Sequence, residues 1–190
     1  MQLETKPLAT KLGWDVLESC EAYKCPWFTV QQHTISRGGH VGTYTYVEHP
    51  GSVFVVPITT NGDVVLIRSY RFTSDSWSWE IPAGTLGDKP GFTPFQAASM
   101  ELREELGATA SGIDTLGTFY VNNGSARHVG HVFLARDITI CSPQRLDPFE
   151  QIEEIRHFTW PELLGLIATG FITDAESALA LLFAYFHVSR

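Results

Sequence analysis

The sequence predicts an α/β (α+β) chain in which helices pack on a mixed sheet behind a small β-rich lobe, and three observations carry that expectation. Two segments rich in β-branched residues flank Asn61-Gly62, a capped helix lies between Thr93 and Gly107, and two more capped helices follow near the end. At 190 residues the chain suits one substantial core with a small appendage.

Residues 14–47 read as short strands: Phe28 to Ile35 alternates in part, Gly38-Gly39 marks a turn, and Tyr44 to Val47 resumes. His49-Pro50-Gly51 is the expected boundary, giving a lobe over 1–49 and a main domain over 50–190. Val53 to Thr59 and Val64 to Tyr70 then read as a β-hairpin, because Asn-Gly tolerates the positive φ of a tight turn. Trp77 to Ile81 is a strand stopped by Pro82, and Gly84 to Gly91 is a loop.

Thr93 caps the central helix, Pro94 fits its first position, Gln96 completes a capping box and Gly107 ends it. Phe95, Ala98, Leu102 and Leu106 form the stripe expected to anchor it. Leu116 to Val121, Val129 to Ala135 and Ile152 to Phe158 read as strands, with a polar loop over Ser142 to Gln151. Thr159-Trp160-Pro161-Glu162 and Thr173-Asp174-Ala175-Glu176 fit the start of two helices.

The net charge of −8 argues against extended DNA or RNA as a partner, since no basic stripe offsets the overall field. A small anionic substrate is compatible with that charge if divalent cations stand between its phosphates and acidic side chains. Cys20, Cys25 and Cys141 lack the spacing of a zinc cage and read as reduced thiols. No apolar leader or membrane span is visible, so the expectation is a cytoplasmic protein with no membrane partner. His128 and His131 lie three apart on an expected strand, which points them to opposite faces and away from a shared metal.

On the central helix Glu101, Glu104 and Glu105 crowd one side. Like charges so spaced repel, and bound divalent cations reverse that cost; oxygen-only ligands favour magnesium or manganese over zinc. A solvated acidic face balanced by Arg103 is the alternative.

The run from Gly84 to Ala108 resembles the Nudix box, G-x5-E-x7-R-E-U-x-E-E-x-G-U with U aliphatic. Ser69-Tyr70-Arg71 followed by Trp79-Glu80-Ile81-Pro82-Ala83-Gly84 is similar to the ADP-ribose pyrophosphatase branch of that superfamily, as are Pro26-Trp27-Phe28 and Gly42 to Tyr46 upstream. Gly124, Phe133-Leu134-Ala135 and Gly170 to Ser177 fall in the expected order downstream. Two positions depart from the box: seven residues rather than five separate Gly84 from Phe92, which stands where the pattern has glutamate, and Met100 stands where it has arginine.

The resemblance implies a Nudix-type α/β/α sandwich behind the N-terminal β-lobe. It also implies metal-dependent hydrolysis of the pyrophosphate in a nucleoside diphosphate linked to another moiety, ADP-ribose or a nucleotide sugar, giving a nucleoside monophosphate and a sugar phosphate. Glu101 and Glu105 would bind Mg2+ or Mn2+, with Glu104 assisting and the Ala83 carbonyl as a further ligand. Glu150 is the first candidate for the general base and Glu153 the second. Arg71 would contact phosphate beside Glu80, and Trp27 and Phe28 would stack on a base from the N-terminal lobe, across a homodimer. ADP-ribose specificity stays open, because Ser125-Ala126-Arg127-His128 brings no acidic residue after Gly124. Phe92 and Met100 motivate the alternative of a catalytically weakened Nudix-fold nucleotide-binding or regulatory module.

Overall fold

The computed structural model describes residues 6–89 and 91–189, so the start of the N-terminal stretch read for a leader, and Pro90 within the glycine loop, lie outside the described residues. The chain divides into two compact units: the chain up to Pro50 with Tyr120–Val129, and Gly51–Phe119 with the chain from Gly130 onwards.

The first unit holds a short helix α1 (Pro7–Lys11) and the strands β1 (Trp14–Lys24), β2 (Thr29–Arg37) and β3 (His40–Glu48), with β10 (Ala126–Arg127) beside β3. β1, β2 and β3 form an antiparallel meander, and β10 adds in parallel through Ala126 opposite Val47. Arg127 Nε donates to both carboxylate oxygens of Glu48 at 2.6 and 2.7 Å, and Tyr44 donates to the Gly124 carbonyl at 3.1 Å. His49 and His128 stack with ring centroids 3.7 Å apart.

The second unit is layered. β4 (Ser52–Pro57) lies between β7 (Ala83–Thr85), antiparallel to it, and β11 (Val129–Arg136), parallel to it, with β9 (Gly112–Tyr120) beyond. β5 (Val64–Arg71) lies between β13 (Ile152–Phe158) and β6 (Ser76–Glu80), antiparallel to both. Short β8 (Ala108–Thr109) and β12 (Thr139–Ile140) pair with each other. Helix α2 (Pro94–Leu106) covers one face, and α3 (Trp160–Ala168) and α4 (Ala175–Val188) cover the other.

Strand alternation divides the core between these faces. Val53, Val55, Val65, Ile67, Phe133 and Ala135 pack with Ala97, Ala98, Leu102 and Leu106 of α2. Phe54, Val56, Val64, Leu66, Val132 and Leu134 pack with Leu163, Ala180, Leu181 and Ala184 of α3 and α4. Strands covered on both sides read as continuous apolar runs, which is why β4 is buried throughout its length.

Three local expectations need correction. The Asn61-Gly62 turn forms, with Gly62 at φ 87° and Thr59 N–H donating to the Asp63 carbonyl at 2.9 Å, but the hairpin does not extend beyond an Ile58–Val64 bridge. The flanking strands enter different sheets, because each is apolar on both faces and each finds two other strands to pair with. Phe95 is 49% exposed, and Ala97 takes the anchoring place expected of it on α2. The last helix is capped by Asp174, whose carboxylate accepts the Ser177 N–H at 2.8 Å, rather than by Thr173; a carboxylate also answers the positive helix end.

The stacked histidines predict a pH effect. Burial pushes His128 from 6.5 to about 4, and the neighbouring His49 acts in the same direction. Between those values the unfolded chain binds more protons than the folded one, so stability is lost as pH falls through the window. The denaturation midpoint should drop from pH 6.5 towards about 4 in the wild type and drop less in His128→Gln; equal pH dependence of the two proteins contradicts the assignment.

Candidate active site

Helix α2 begins on a reciprocal capping box: Gln96 N–H donates to Thr93 Oγ1 at 3.3 Å and Thr93 N–H donates to Gln96 Oε1 at 2.9 Å. It ends at Gly107, in the left-handed conformation at φ 63°. The chain then returns along this end: Cys141 and Ser142 N–H donate to the Gly107 carbonyl at 3.0 and 3.1 Å, and Arg145 N–H to the Glu104 carbonyl at 2.8 Å. Gln144 Nε2 donates to the Glu105 carbonyl. Helix C-terminal carbonyls left without intrahelical partners are thereby satisfied by the loop that carries Glu150.

The acidic cluster is not a solvated face. Glu101 is 4% exposed and Glu105 6%, on the same side of α2 as the core residues Ala98 and Leu102, while Glu104 is half-buried. Carboxylates removed from water need compensating partners. Glu105 Oε2 accepts the Ala83 N–H at 2.9 Å, and Glu101 Oε1 accepts from Lys89 Nζ at 2.6 Å. Lys89, whose side chain is 9% exposed, also lies 3.6 Å from Asp88 and 4.0 Å from Glu104.

Burial drives the electrostatics. It raises the Glu101 carboxyl above its ordinary range, with Lys89 opposing the shift. Burial, followed by the charge of Glu101, raises Glu105 well above the usual carboxylate range. Burial alone would lower Lys89, but its bond to Glu101 and the charges of Glu101, Asp88 and Glu104 leave it raised. Glu150, whose carboxylate accepts the Asp147 N–H at 2.9 Å, contributes a like charge felt by Glu101, Glu104 and Glu105.

Alongside this cluster, Arg71 Nε donates to Glu80 at 3.0 and 2.9 Å, and its Nη2 makes a further bond to the same carboxylate. Burial raises Glu80 and the Arg71 fork opposes it; Arg71 in turn feels the charges of Glu105 and Asp174. Glu153 is paired with Arg68, which lies over the Trp77 ring. Trp27 and Phe28 belong to the first unit, where Trp27 is 51% exposed and Phe28 lies 6.0 Å from the Tyr23 ring. Ala83, Glu101, Glu104, Glu105 and Glu150 thus share one electrostatic neighbourhood, with Arg71 and Glu80 at its edge. Sequence reasoning missed Lys89; the available signal was a lone lysine in the loop preceding the helix glutamates.

Oxygen-only donors, buried and held together against like-charge repulsion, suit a hard divalent cation, and the enclosed Lys89 ammonium shows that positive charge is favoured here. Among the described residues, no group of three or more His, Cys, Asp or Glu side chains forms a ready-made metal cage. The side chains that would contribute are instead turned to Lys89 and to the Ala83 N–H.

Gly84 lets the strand pass close to Glu101. A Cβ there would lie 1.7 Å from Glu101 Oε1 and 2.2 Å from its Cδ. Gly84→Ala should therefore displace the Glu101 carboxylate and lower stability by about 1–3 kcal/mol in denaturant unfolding; wild-type stability would contradict the packing.

The NUDIX domain pattern matches residues 48–180. The chain is 32% identical over 137 residues to an ADP-ribose pyrophosphatase of Bacillus subtilis (strain 168), covering 71% of this chain and 72% of the relative. It is 23% identical over 176 residues to a GDP-mannose pyrophosphatase of Yersinia enterocolitica, covering 85% and 90% respectively. A solved ADP compounds hydrolase superposes with a TM-score of 0.79 at 20% identity, covering 93% of this chain and 94% of that one, which shows the shared fold. Nudix enzymes generally use divalent metal ions. The chain belongs to the Nudix family, in its ADP-ribose pyrophosphatase-like branch, and is a Nudix pyrophosphohydrolase.

Proposed function

We propose that the chain hydrolyses the pyrophosphate of a nucleoside diphosphate joined to another moiety, of the ADP-ribose or nucleotide-sugar type, with Mg2+ or Mn2+ at Glu101 and Glu105. The observation that carries this reading is the burial of those two carboxylates on one helix, facing the Ala83-Gly84 strand, within the field of Glu150. Relatives named for ADP-ribose and for GDP-mannose both act on nucleoside diphosphate compounds, which supports the substrate class.

Glu101 and Glu105 would hold the ions, Glu104 would assist from the half-buried edge, and the Ala83 carbonyl would be a further oxygen donor. Bound there, the ions would neutralise the diphosphate and lower the pKa of the attacking water. Glu150 accepts the proton from that water, whose oxygen bonds to one phosphorus as the bond to the bridging oxygen breaks. The products are a nucleoside monophosphate and a sugar phosphate. Arg71 offers its guanidinium to phosphate, and Glu80 fixes the orientation of that fork. Glu153, engaged with Arg68, is the second choice for the base. Trp27, with Phe28 beside it, offers an aromatic face to a base, and a homodimer is the assembly we expect.

Free thiols at Cys20, Cys25 and Cys141 suit a reducing compartment, so the cytoplasm is our reading. No helix among the described residues is long and apolar enough to cross a membrane.

A panel of ADP-ribose, ADP-sugars and GDP-sugars, assayed with Mg2+ and with Mn2+ by phosphate release after added phosphatase, should reveal turnover of at least one compound. Binding without turnover of any member would favour the nucleotide-binding module motivated by Phe92 and Met100. On the substrate found, Glu150→Gln should lower kcat by about 100- to 10,000-fold, the usual range for a lost general base, and Glu153→Gln should not. The reverse ranking would move the role to Glu153.

A further inference from the structure

We propose that Lys89 is a tethered counter-cation that competes with the divalent ion for Glu101, so that loading the site requires its ammonium to withdraw. This rests on the reading that metal binds at Glu101. The Lys89 ammonium stands 2.6 Å from Glu101 Oε1. A divalent ion bound to that carboxylate lies about 2.0–2.6 Å from its oxygen. Two cations so close, in a site from which water is largely excluded, repel strongly. An ion drawn to Oε1 therefore competes with the ammonium that already occupies that oxygen.

The placement of Lys89 is built into the loop. Its N–H donates to the Leu86 carbonyl at 3.4 Å, and its own carbonyl accepts the Phe92 N–H at 3.1 Å, closing the turn that leads into α2. The side chain is covered along its length, leaving the ammonium among Glu101, Asp88 and Glu104. One of those neighbours also provides an exit: Asp88 at 3.6 Å can receive the ammonium when it leaves Glu101, without exposing an unpaired charge to the core. The Glu101 carboxylate is accordingly engaged by Lys89.

One departure from the box fits this role: Met100 leaves α2 without the arginine of the pattern, and Lys89 in the preceding loop brings a positive charge to the cluster. The loop thereby couples metal occupancy to its own position.

Mn2+ binding followed by electron paramagnetic resonance, on the wild type, Lys89→Met and Lys89→Arg, tests the proposal. Lys89→Met should bind Mn2+ roughly ten times more tightly, as removal of a fixed like charge beside the ion requires, and Lys89→Arg should stay near the wild type. Unchanged or weaker binding by folded Lys89→Met overturns the proposal. Should that variant fail to fold, acylation of the wild type by a lysine-specific reagent decides: Lys89 should be protected without metal and become reactive when Mn2+ is added. Reactivity indifferent to Mn2+ overturns the proposal. Glu101→Gln separates the two readings. If it abolishes Mn2+ binding while Lys89→Met matches the wild type, only the competition fails; if wild type and variants all fail to bind Mn2+, the metal site fails with it.

Discussion

The second unit is organised around carboxylates held where water cannot solvate them. Glu101 and Glu105 project from the face of α2 that also buries Ala98, Leu102 and Leu106, so the helix cannot dock on its sheet without carrying the acidic groups under cover. Burial raises both carboxyls, and their mutual repulsion raises Glu105 further. The Ala83 N–H and the Lys89 ammonium answer this cost in the described conformation. A ligand that offers more positive charge than Lys89 is therefore favoured by the same electrostatics that make the clustered carboxylates expensive.

Much of the scaffold serves to keep those groups in register. The capping box at Thr93 and the left-handed Gly107 fix where α2 starts and stops. A Cβ at Gly107 would lie 1.9 Å from the Ser142 carbonyl oxygen, so the close passage of the Glu150 loop depends on glycine at that point. On the strand side, Gly84 admits the Glu101 carboxylate against β7. The two contacts set the helix between a strand and a loop.

The helix and its glutamates were legible in the sequence because their signals are local: a capping residue, an N1 proline, a terminal glycine and a fixed spacing. Likewise the β-branched runs announced β4 and β5, and Gly62 announced the turn between them. Their assignment to different sheets was not legible, since two doubly apolar strands take their neighbours from distant segments such as β11 and β13. Phe95 illustrates the same limit, because periodicity identifies a stripe but not how far each of its members is covered. Spacing grouped Glu101, Glu104 and Glu105 on one side of α2, whereas the place of Lys89 depended on how a glycine-containing loop folds back towards them. The electrostatic reach of Glu150 and the engagement of Glu153 by Arg68 also arise from long-range placement.

The role proposed for the buried glutamates is to hold divalent ions against a diphosphate. Its most direct test is a crystal grown with Mn2+ and a non-hydrolysable nucleoside diphosphate analogue, measured at the manganese absorption edge. Anomalous peaks are expected within about 2.0–2.6 Å of carboxylate oxygens of Glu101 and Glu105, in contact with phosphate oxygens. Bound analogue with manganese only elsewhere, and those carboxylates still engaged with Lys89 and the Ala83 N–H, would contradict it.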